Sequence, residues 1–574
     1  MDRAPRRFDH QFPSIQEGDK NEDDMAKEHD KNALAGSAPI WQNWSGNIQH
    51  APPTDGEDYY FTPTNLDELK AVVADAQQKG VTVRVSGQRH SQPPLVTDDN
   101  RSAPPPKPRS YLVDMSCYVD VGDNGIALGP GTSQITVNPG VREDAVDAFL
   151  TQHDLMFETV TAGGFFSLGG MTAVDVHGGT VEAPIFAETV ASFVILGADG
   201  QLRTIDAASP SVDRWSPLQF ARVSLGGLGI VTRLILEVLP RPYATTLQGG
   251  MQRHLLKNKQ AFVAEFTTQL TGSSKHDRME IFYTPYAAAP NLPFPPLPNF
   301  LVLWWNVVAN PEPKTPNAAP DPQTACALAQ AGEFGAPFLG GVAGYAAKWV
   351  RNSQYFSSPY NPFHIPPVPT AGFAAIALDE IESQAGAANK VHSDLWLAEA
   401  SQVIFMSYFI ELPALDTAGL GKVWDGLDVV ARRVIQDDSF HIAAPMEFRF
   451  IKAGDSAMAG TYSQTPNAYF VNLDLIGFIE ATPSADYPAK LLQFFADVER
   501  DWVAMGGFPH QGKMYGFYDP TMPAGTHTAA FNPNFLADLR RRRGERLKAF
   551  NAYRKGQDPT GLFYNDFLRQ LLEG

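Results

Sequence analysis

The sequence predicts an α+β protein: an N-terminal unit that alternates helices and strands, a separate central α+β domain, and a helical C-terminal segment. Three observations predict it. A helix, a strand and a glycine loop follow one another between residues 63 and 91. A glycine-dense stretch runs from 161 to 179, and the pattern changes character after Pro240-Arg241-Pro242. At 574 residues the chain is too long for one ordinary core, so two or more domains are expected.

Residues 1–40 are polar and acidic and read as an arm. Residues 41–240 form the first unit. Asn65 is placed as an N-cap with Glu68 three residues on, and Leu66, Leu69, Val72, Val73 and Ala76 keep a helical period up to the stop at Gly80. The run Val81-Thr82-Val83-Arg84-Val85-Ser86 alternates as a strand, breaks at Gly87, and presents His90 on the loop beyond. Residues 101–108, rich in proline, read as a surface loop. Ile135-Thr136-Val137-Asn138-Pro139-Gly140-Val141 reads as a strand and turn. The stretch from Thr161 to Gly179 carries Gly163, Gly164, Gly169, Gly170, Gly178 and Gly179. Without a Cβ in the way, such backbone amides can approach a diphosphate closely.

The central domain is expected over 241–485, with buried strands such as Phe300-Leu301-Val302-Leu303-Trp304-Trp305 and an amphipathic helix over 421–436. From 486 to 574 helical patterns return, at 491–503 and 535–553. Two segments, 290–300 and 354–369, are dense in proline and aromatic residues. They are lids over a pocket or covers for a sheet edge.

The formal charge of −18, from 45 basic and 63 acidic residues, argues against nucleic acid or an anionic membrane surface as the main partner. Cys117 and Cys326 are the only cysteines, too few for a disulfide scaffold or a zinc cluster, and no metal site is expected. No run of 18 apolar residues suggests an integral membrane segment. No signal peptide is visible at the N-terminus, so the expectation is a cytoplasmic protein, or a secreted or periplasmic one whose signal has been removed.

Taken together, the helix–strand–glycine loop with His90, the Gly-Gly segment ending at His177-Gly178, the Gly229-Ile230-Val231-Thr232 strand and the tail Asp558-Pro559-Thr560-Gly561-Leu562-Phe563-Tyr564-Asn565 resemble the vanillyl-alcohol oxidase and p-cresol methylhydroxylase family of FAD proteins. The resemblance implies a two-part FAD-binding domain whose C-terminal segment returns over it, with a substrate-binding domain in the middle. It further implies FAD bonded covalently to His90. Ser86, Gly87, Gln88, Arg89 and Ser91 would then lie around the diphosphate, and Gly163, Gly164, Gly169 and Gly170 along the diphosphate and isoalloxazine. His177 and Gly178 would sit close by, although His177 reads equally as a core histidine satisfied by a carbonyl. Gly229, Ile230, Val231 and Asn565 complete the cofactor set.

In the central domain, Pro445-Met446-Glu447-Phe448-Arg449-Phe450 reads as a strand with Glu447 and Arg449 on one face. They look like the Glu-x-Arg pair of the alditol-oxidase and aldonolactone branch and of the covalently flavinylated (type II) cholesterol oxidases. Phe508-Pro509-His510-Gln511-Gly512-Lys513 resembles the Pro-His-x-Gly-Lys segment of the alditol and lactone branch, with Gln511 in place of an aromatic. Lys513 is expected near the substrate hydroxyl or the flavin, where a cation stabilises negative charge. Asn472, on Tyr469-Phe470-Val471-Asn472-Leu473-Asp474, either completes the pocket or is a loop-facing strand residue. Glu280, in Arg278-Met279-Glu280-Ile281-Phe282, is a candidate second carboxylate.

The function these features imply is an FAD-dependent oxidase of an alcohol, with Glu447 as proton acceptor or orienter, Arg449 for electrostatic stabilisation and dioxygen reoxidising the flavin to give peroxide. The proline-rich segments, Gln511 and the layout shared with type II cholesterol oxidases point to a bulky apolar alcohol such as a 3β-hydroxysteroid, with isomerisation of the 5-en-3-one product as a further step. The alternatives are an alditol or aldonolactone oxidase, and a redox-silent flavin- or ligand-binding protein.

Overall fold

The computed structural model describes residues 39–241, 245–286, 298–309, 321–333, 342–357, 367–388, 402–436 and 439–574. The arm expected over 1–40 lies almost wholly outside them, as does most of both proline-rich segments.

The first helix forms where its capping signals place it, over Leu66–Lys79. The Asn65 side chain accepts from the Glu68 amide at 3.0 Å, and Gly80 closes the helix in the left-handed conformation. Its buried side chains, Leu69, Val73 and Ala76, pack with Val83, Tyr111 and Val113 of a three-stranded parallel sheet. That sheet orders Tyr60–Phe61, Ser110–Asp114 and Thr82–Ser86, with Thr82 opposite Ser110 and Ser86 opposite Asp114. A second, antiparallel sheet of five strands runs Leu202–Asp206, Val190–Leu196, Ile230–Glu237, Gln134–Val137 and Ile126–Leu128.

The central domain is built on a seven-stranded antiparallel sheet. Its order is Thr245–His254, Phe300–Ala309, Arg278–Tyr283, Met446–Lys452, Tyr469–Phe478, Val403–Leu412 and Phe508–Pro509. The last strand is supplied by the chain beyond residue 485. One face of the sheet is covered by helices: Phe262 and Phe266 of Lys259–Leu270 touch the rings of Phe448 and Phe450. Strand alternation therefore turns Glu447 and Arg449 to the opposite face, away from the helices.

The C-terminal segment joins the first unit. Leu562 accepts from the Val83 amide at 2.8 Å, and the buried Arg84 guanidinium donates to the carbonyls of Leu95, Leu225 and Phe563 at 2.8, 2.6 and 2.5 Å. One cation thus joins three stretches far apart in sequence. The helical pattern at 535–553 resolves into two helices, Pro533–Arg543 and Glu545–Gln557, parted by Gly544 at φ +54°. Periodicity continues across that glycine, but the backbone turns there.

Cys117 and Cys326 are bonded to one another across 209 positions. They fasten the Pro322–Gln330 helix to the turn Met115–Cys117 beside the parallel sheet.

Candidate active site

The parallel strand Thr82–Ser86 ends in the loop that carries His90, and a short N-terminal hairpin holds this loop from behind. Trp41 Nε1 donates to Ser86 Oγ at 2.8 Å, the Trp44 amide to the Arg89 carbonyl at 2.8 Å, and Asn43 Nδ2 to the Ser91 carbonyl at 3.0 Å. The Trp44 and His90 rings stack. Arg89 stands at φ +59°, a left-handed position for a side-chain-bearing residue. Its buried guanidinium donates to the Gly332 carbonyl and, at 3.0 Å, to Tyr60 Oη, whose hydroxyl donates to the Ala329 carbonyl at 2.9 Å. Arg89 and Tyr60 thereby occupy carbonyls at the C-terminal end of the disulfide-fastened helix. The Arg89 side chain thus ties the His90 loop to that helix.

The opposite wall is the glycine-dense stretch. The helix Glu143–Gln152 meets it through its first residues: the buried Glu143 carboxylate accepts from the Thr161 amide at 2.8 Å, and the Asp144 amide donates to the Gly164 carbonyl at 2.7 Å. Gly87 faces Ser167 so closely that a Cβ would lie 2.1 Å from its hydroxyl. Bare backbone lines both sides of one cavity.

That cavity runs from the loops to the central sheet. It is lined by Ser86 to Ser91, Gly163, Gly169, Gly170, His177, Gly226, Gly229 and Val231, and at its other end by Phe405, Glu447, Arg449, Asp474, His510 and Lys513. The end segment is held from several sides. Gln92 donates to the Val403 carbonyl and accepts from the Phe405 amide, the Gln92 amide donates to the Gly512 carbonyl, and the His510 amide donates to the Ser407 carbonyl. Asp175, fully buried, accepts from the amides of Gly460 and Gln511 at 2.7 and 2.8 Å, and burial raises its carboxyl to about 6. Lys513 lays its ammonium 4.1 Å from the centre of the Phe405 ring.

On the floor, cross-strand neighbours form a polar ladder. Arg449 stands opposite Asn472, and Glu447 opposite Asp474, which in turn faces Ser407 on the next strand. The Arg449 guanidinium donates to Glu280 at 2.6 Å and pairs with Glu447 as well. Two carboxylates share one guanidinium in a buried place. Burial, with Glu447 as a second push, raises Glu280 to about 8 against the pull of Arg449. Burial lowers Arg449, but the facing carboxylates outweigh it and hold the guanidinium above its ordinary value. His177 is lowered to about 3 by burial and then by Arg449, and His510 is lowered well below the ordinary value by burial and then by His177, so both stand neutral. His177 Nδ1 lies 3.3 Å from the Gly178 carbonyl while its ring also borders the cavity, which joins the two readings the sequence left open.

Seven of the residues singled out from sequence do not border the cavity. Gly164 is a turn that bonds Thr161, Gly178 presses on the Val160 carbonyl, and Ile230 is core. Glu280 stands behind Arg449. Asn472 donates to Ser407 Oγ at 2.8 Å. Asn565 caps the helix Asp566–Leu572 and donates to the Pro94 carbonyl, a structural anchor. Gln511 is fully buried and turned to the Pro509 carbonyl, so it gives the cavity no shape. The sequence reading passed over Asp474, although it stands two residues from Asn472 and hence on the same strand face. It also passed over His510, which was visible inside the Pro-His-x-Gly-Lys motif.

The arrangement fits FAD: glycine backbone over the length of a dinucleotide, an aromatic-backed histidine on the loop, and a lysine with buried acids at the far end. Comparisons agree. A model described as FAD binding domain matches residues 58–206, and one described as D-arabinono-1,4-lactone oxidase matches residues 427–571, the segment that holds Glu447, Arg449, Asp474 and Lys513. An L-gulono-1,4-lactone dehydrogenase of Mycobacterium tuberculosis is 27% identical over 250 residues, covering 44% of this chain and 50% of that protein. A D-arabinono-1,4-lactone oxidase of Yarrowia lipolytica is 25% identical, covering 35% of this chain and 34% of that one. The chain thus spans half or less of the length of these curated relatives. A cholesterol oxidase from B. sterolicum has a similar fold, with a TM-score of 0.66 and 16% identity over 94% of this chain and 98% of that one. The chain therefore carries an FAD-binding domain and a D-arabinono-1,4-lactone oxidase-type segment on the fold of the vanillyl-alcohol oxidase and p-cresol methylhydroxylase family.

Proposed function

We propose that this protein is an FAD-dependent oxidase of a small polar alcohol, an aldonolactone or a polyol, with dioxygen as the electron acceptor. The observation that carries the reading is the charged floor of the cavity, where Glu447, Arg449, Asp474 and Lys513 converge. A hydroxyl-rich substrate offers such groups further hydrogen bonds; an apolar one leaves the buried Asp474 Oδ1 without a donor, at a cost of about 1–3 kcal/mol. Of the three supports for the bulky-alcohol reading, the one drawn from Gln511 is lost here, while the fold shared with a cholesterol oxidase stands. Gln511 does not face the cavity, and the proline-rich segments fall mostly outside the described residues.

FAD, when bound, supplies the acceptor for the hydride that a CH–OH carbon gives up. His90 is the residue proposed to bond to it, and the Ser86 to Ser91 loop and Gly163, Gly169 and Gly170 to hold it. Lys513 and Arg449 place positive charge where the substrate oxygen gathers negative charge. Phe405 and Phe166 exclude water from the cavity wall. The Cys117–Cys326 bond supports a place in an oxidising compartment, periplasmic or extracellular.

The test is peroxide release by the purified holoenzyme with L-gulono-1,4-lactone, xylitol and detergent-dispersed cholesterol side by side. Peroxide from the lactone or the polyol is expected. Peroxide from cholesterol alone would overturn the assignment in favour of a sterol.

A further inference from the structure

We propose that Asp474 is the catalytic residue that takes the proton of the substrate hydroxyl. This rests on the oxidase reading above. The choice falls between the two carboxylates on the cavity floor, and their partners separate them. Glu447 is tied to Arg449, which also holds Glu280. Asp474 faces Ser407 across the strand pair, and its Oδ1 is buried without any partner among the described residues. A buried carboxylate oxygen with no donor is costly, and a substrate hydroxyl in the cavity is the donor it lacks.

The groups that face Asp474 suit the task. Glu447 stands opposite it on one neighbouring strand and Ser407 on the other, and Arg449 and Lys513 supply positive charge nearby. Asn472 shares its strand face, and His177 and His510 border the same cavity. Burial, then the Glu447 charge, raises the Asp474 carboxyl to about 6, against the pull of Lys513. It is therefore ionised at neutral pH yet basic enough to accept a proton, the compromise expected of a general base. In the step, the substrate O–H bond breaks and its proton passes to Asp474 Oδ1. The O–H electron pair becomes the second bond of the carbonyl. The C–H bond breaks at the same carbon, and its hydrogen with both electrons goes to FAD. The substrate is oxidised by two electrons and the cofactor reduced by two.

Two measurements on the FAD-loaded protein test this. In steady-state turnover of L-gulono-1,4-lactone or xylitol, D474N should lose at least about 10²-fold in kcat and lose the acidic limb of the pH profile that wild type shows near 6. E447Q should keep an acidic limb, moved to lower pH because the Glu447 charge no longer raises Asp474. In infrared titration without substrate, a carboxylic acid C=O band that ionises near pH 6 should vanish in D474N and persist in E447Q, ionising at lower pH there because the Glu447 charge is gone. Subtraction of the wild-type spectrum separates it from Asp175 and Glu499, buried acids raised to about 6 and about 7. Retained kcat and pH limb in D474N, or an infrared titration unchanged by D474N, would overturn the assignment. If wild type turns over neither substrate, the lactone and polyol reading falls, and the infrared arm still decides whether Asp474 holds the titrating proton. The asparagine is isosteric, and an unchanged visible flavin spectrum excludes misfolding as the cause of lost activity.

Discussion

The indole of Trp44 lies nearly parallel to the imidazole of His90, with ring centroids 4.5 Å apart and planes inclined by 23°. Phe166 meets the same imidazole edge-on at 4.8 Å. Aromatic contacts on two sides fix the ring orientation that any bond from His90 to the flavin would need. H90A is expected to bind FAD that acid precipitation releases, whereas wild type should stay yellow in the pellet. W44A should fall between, with a reduced fraction of acid-stable flavin. Wild-type flavin that acid removes completely would end the covalent assignment.

Gly140 tests the cradle itself. A Cβ there would lie 2.0 Å from the Met115 carbonyl oxygen, a backbone atom that no rotamer change can move. Overpacking of this kind costs about 1–3 kcal/mol. Because Gly140 borders the cavity, G140A is expected to lower both the melting temperature and the ratio of flavin to protein absorbance. An unchanged flavin content would show that this turn is remote from the cofactor.

The Cys117–Cys326 bond closes a long loop, which contributes about 2–4 kcal/mol in typical cases. Thiol titration in denaturant should find no free thiol before reduction and two after it. Reduction, or C326S, should lower the melting temperature. It should also loosen the Arg89 and Tyr60 contacts to Gly332 and Ala329, read as faster amide exchange in the 86–91 loop. Exchange that reduction leaves unchanged there would show that the loop holds without the helix.

Much of this architecture was legible because it rests on local rules. The Asn65 cap, the stop at Gly80 and the alternation of Glu447 and Arg449 with Phe448 and Phe450 each follow from a few neighbouring residues. What stayed hidden depends on contacts between distant segments. The bond from Cys117 to Cys326, the support of His90 by Trp44, and the Asp175 bridge to Gln511 all cross more than forty positions. Gln511 shows the hazard of judging a motif position by residue type: its side chain turns inward, so the substitution there is not a statement about substrate. Asp474 could have been found, since the same two-residue spacing that singled out Glu447 with Arg449 joins it to Asn472.

The buried acids carry one part of the pH dependence of stability. Burial raises Glu280 to about 8, Glu499 to about 7, and Asp175 and Asp474 to about 6, all above their unfolded values. A raised carboxyl binds its proton more tightly in the folded state. Its contribution is complete below the unfolded value near 4 and is lost as the pH rises through the folded value. Their share of the stability should therefore fall from about pH 4 to pH 8, by at most about 1.4 kcal/mol per pH unit for each such proton, while the lowered His177 and His510 act in the opposite sense below about pH 6.5. E280Q keeps the shape of Glu280 and removes its titration, so its urea midpoint should depend less on pH between 6 and 8 than that of wild type. R449A does the reverse. It strands Glu280 and Glu447 beside one another, at a cost of about 3–5 kcal/mol, and that cost should grow with pH as both ionise. An E280Q midpoint that tracks wild type across this range would show that Arg449 holds Glu280 ionised throughout.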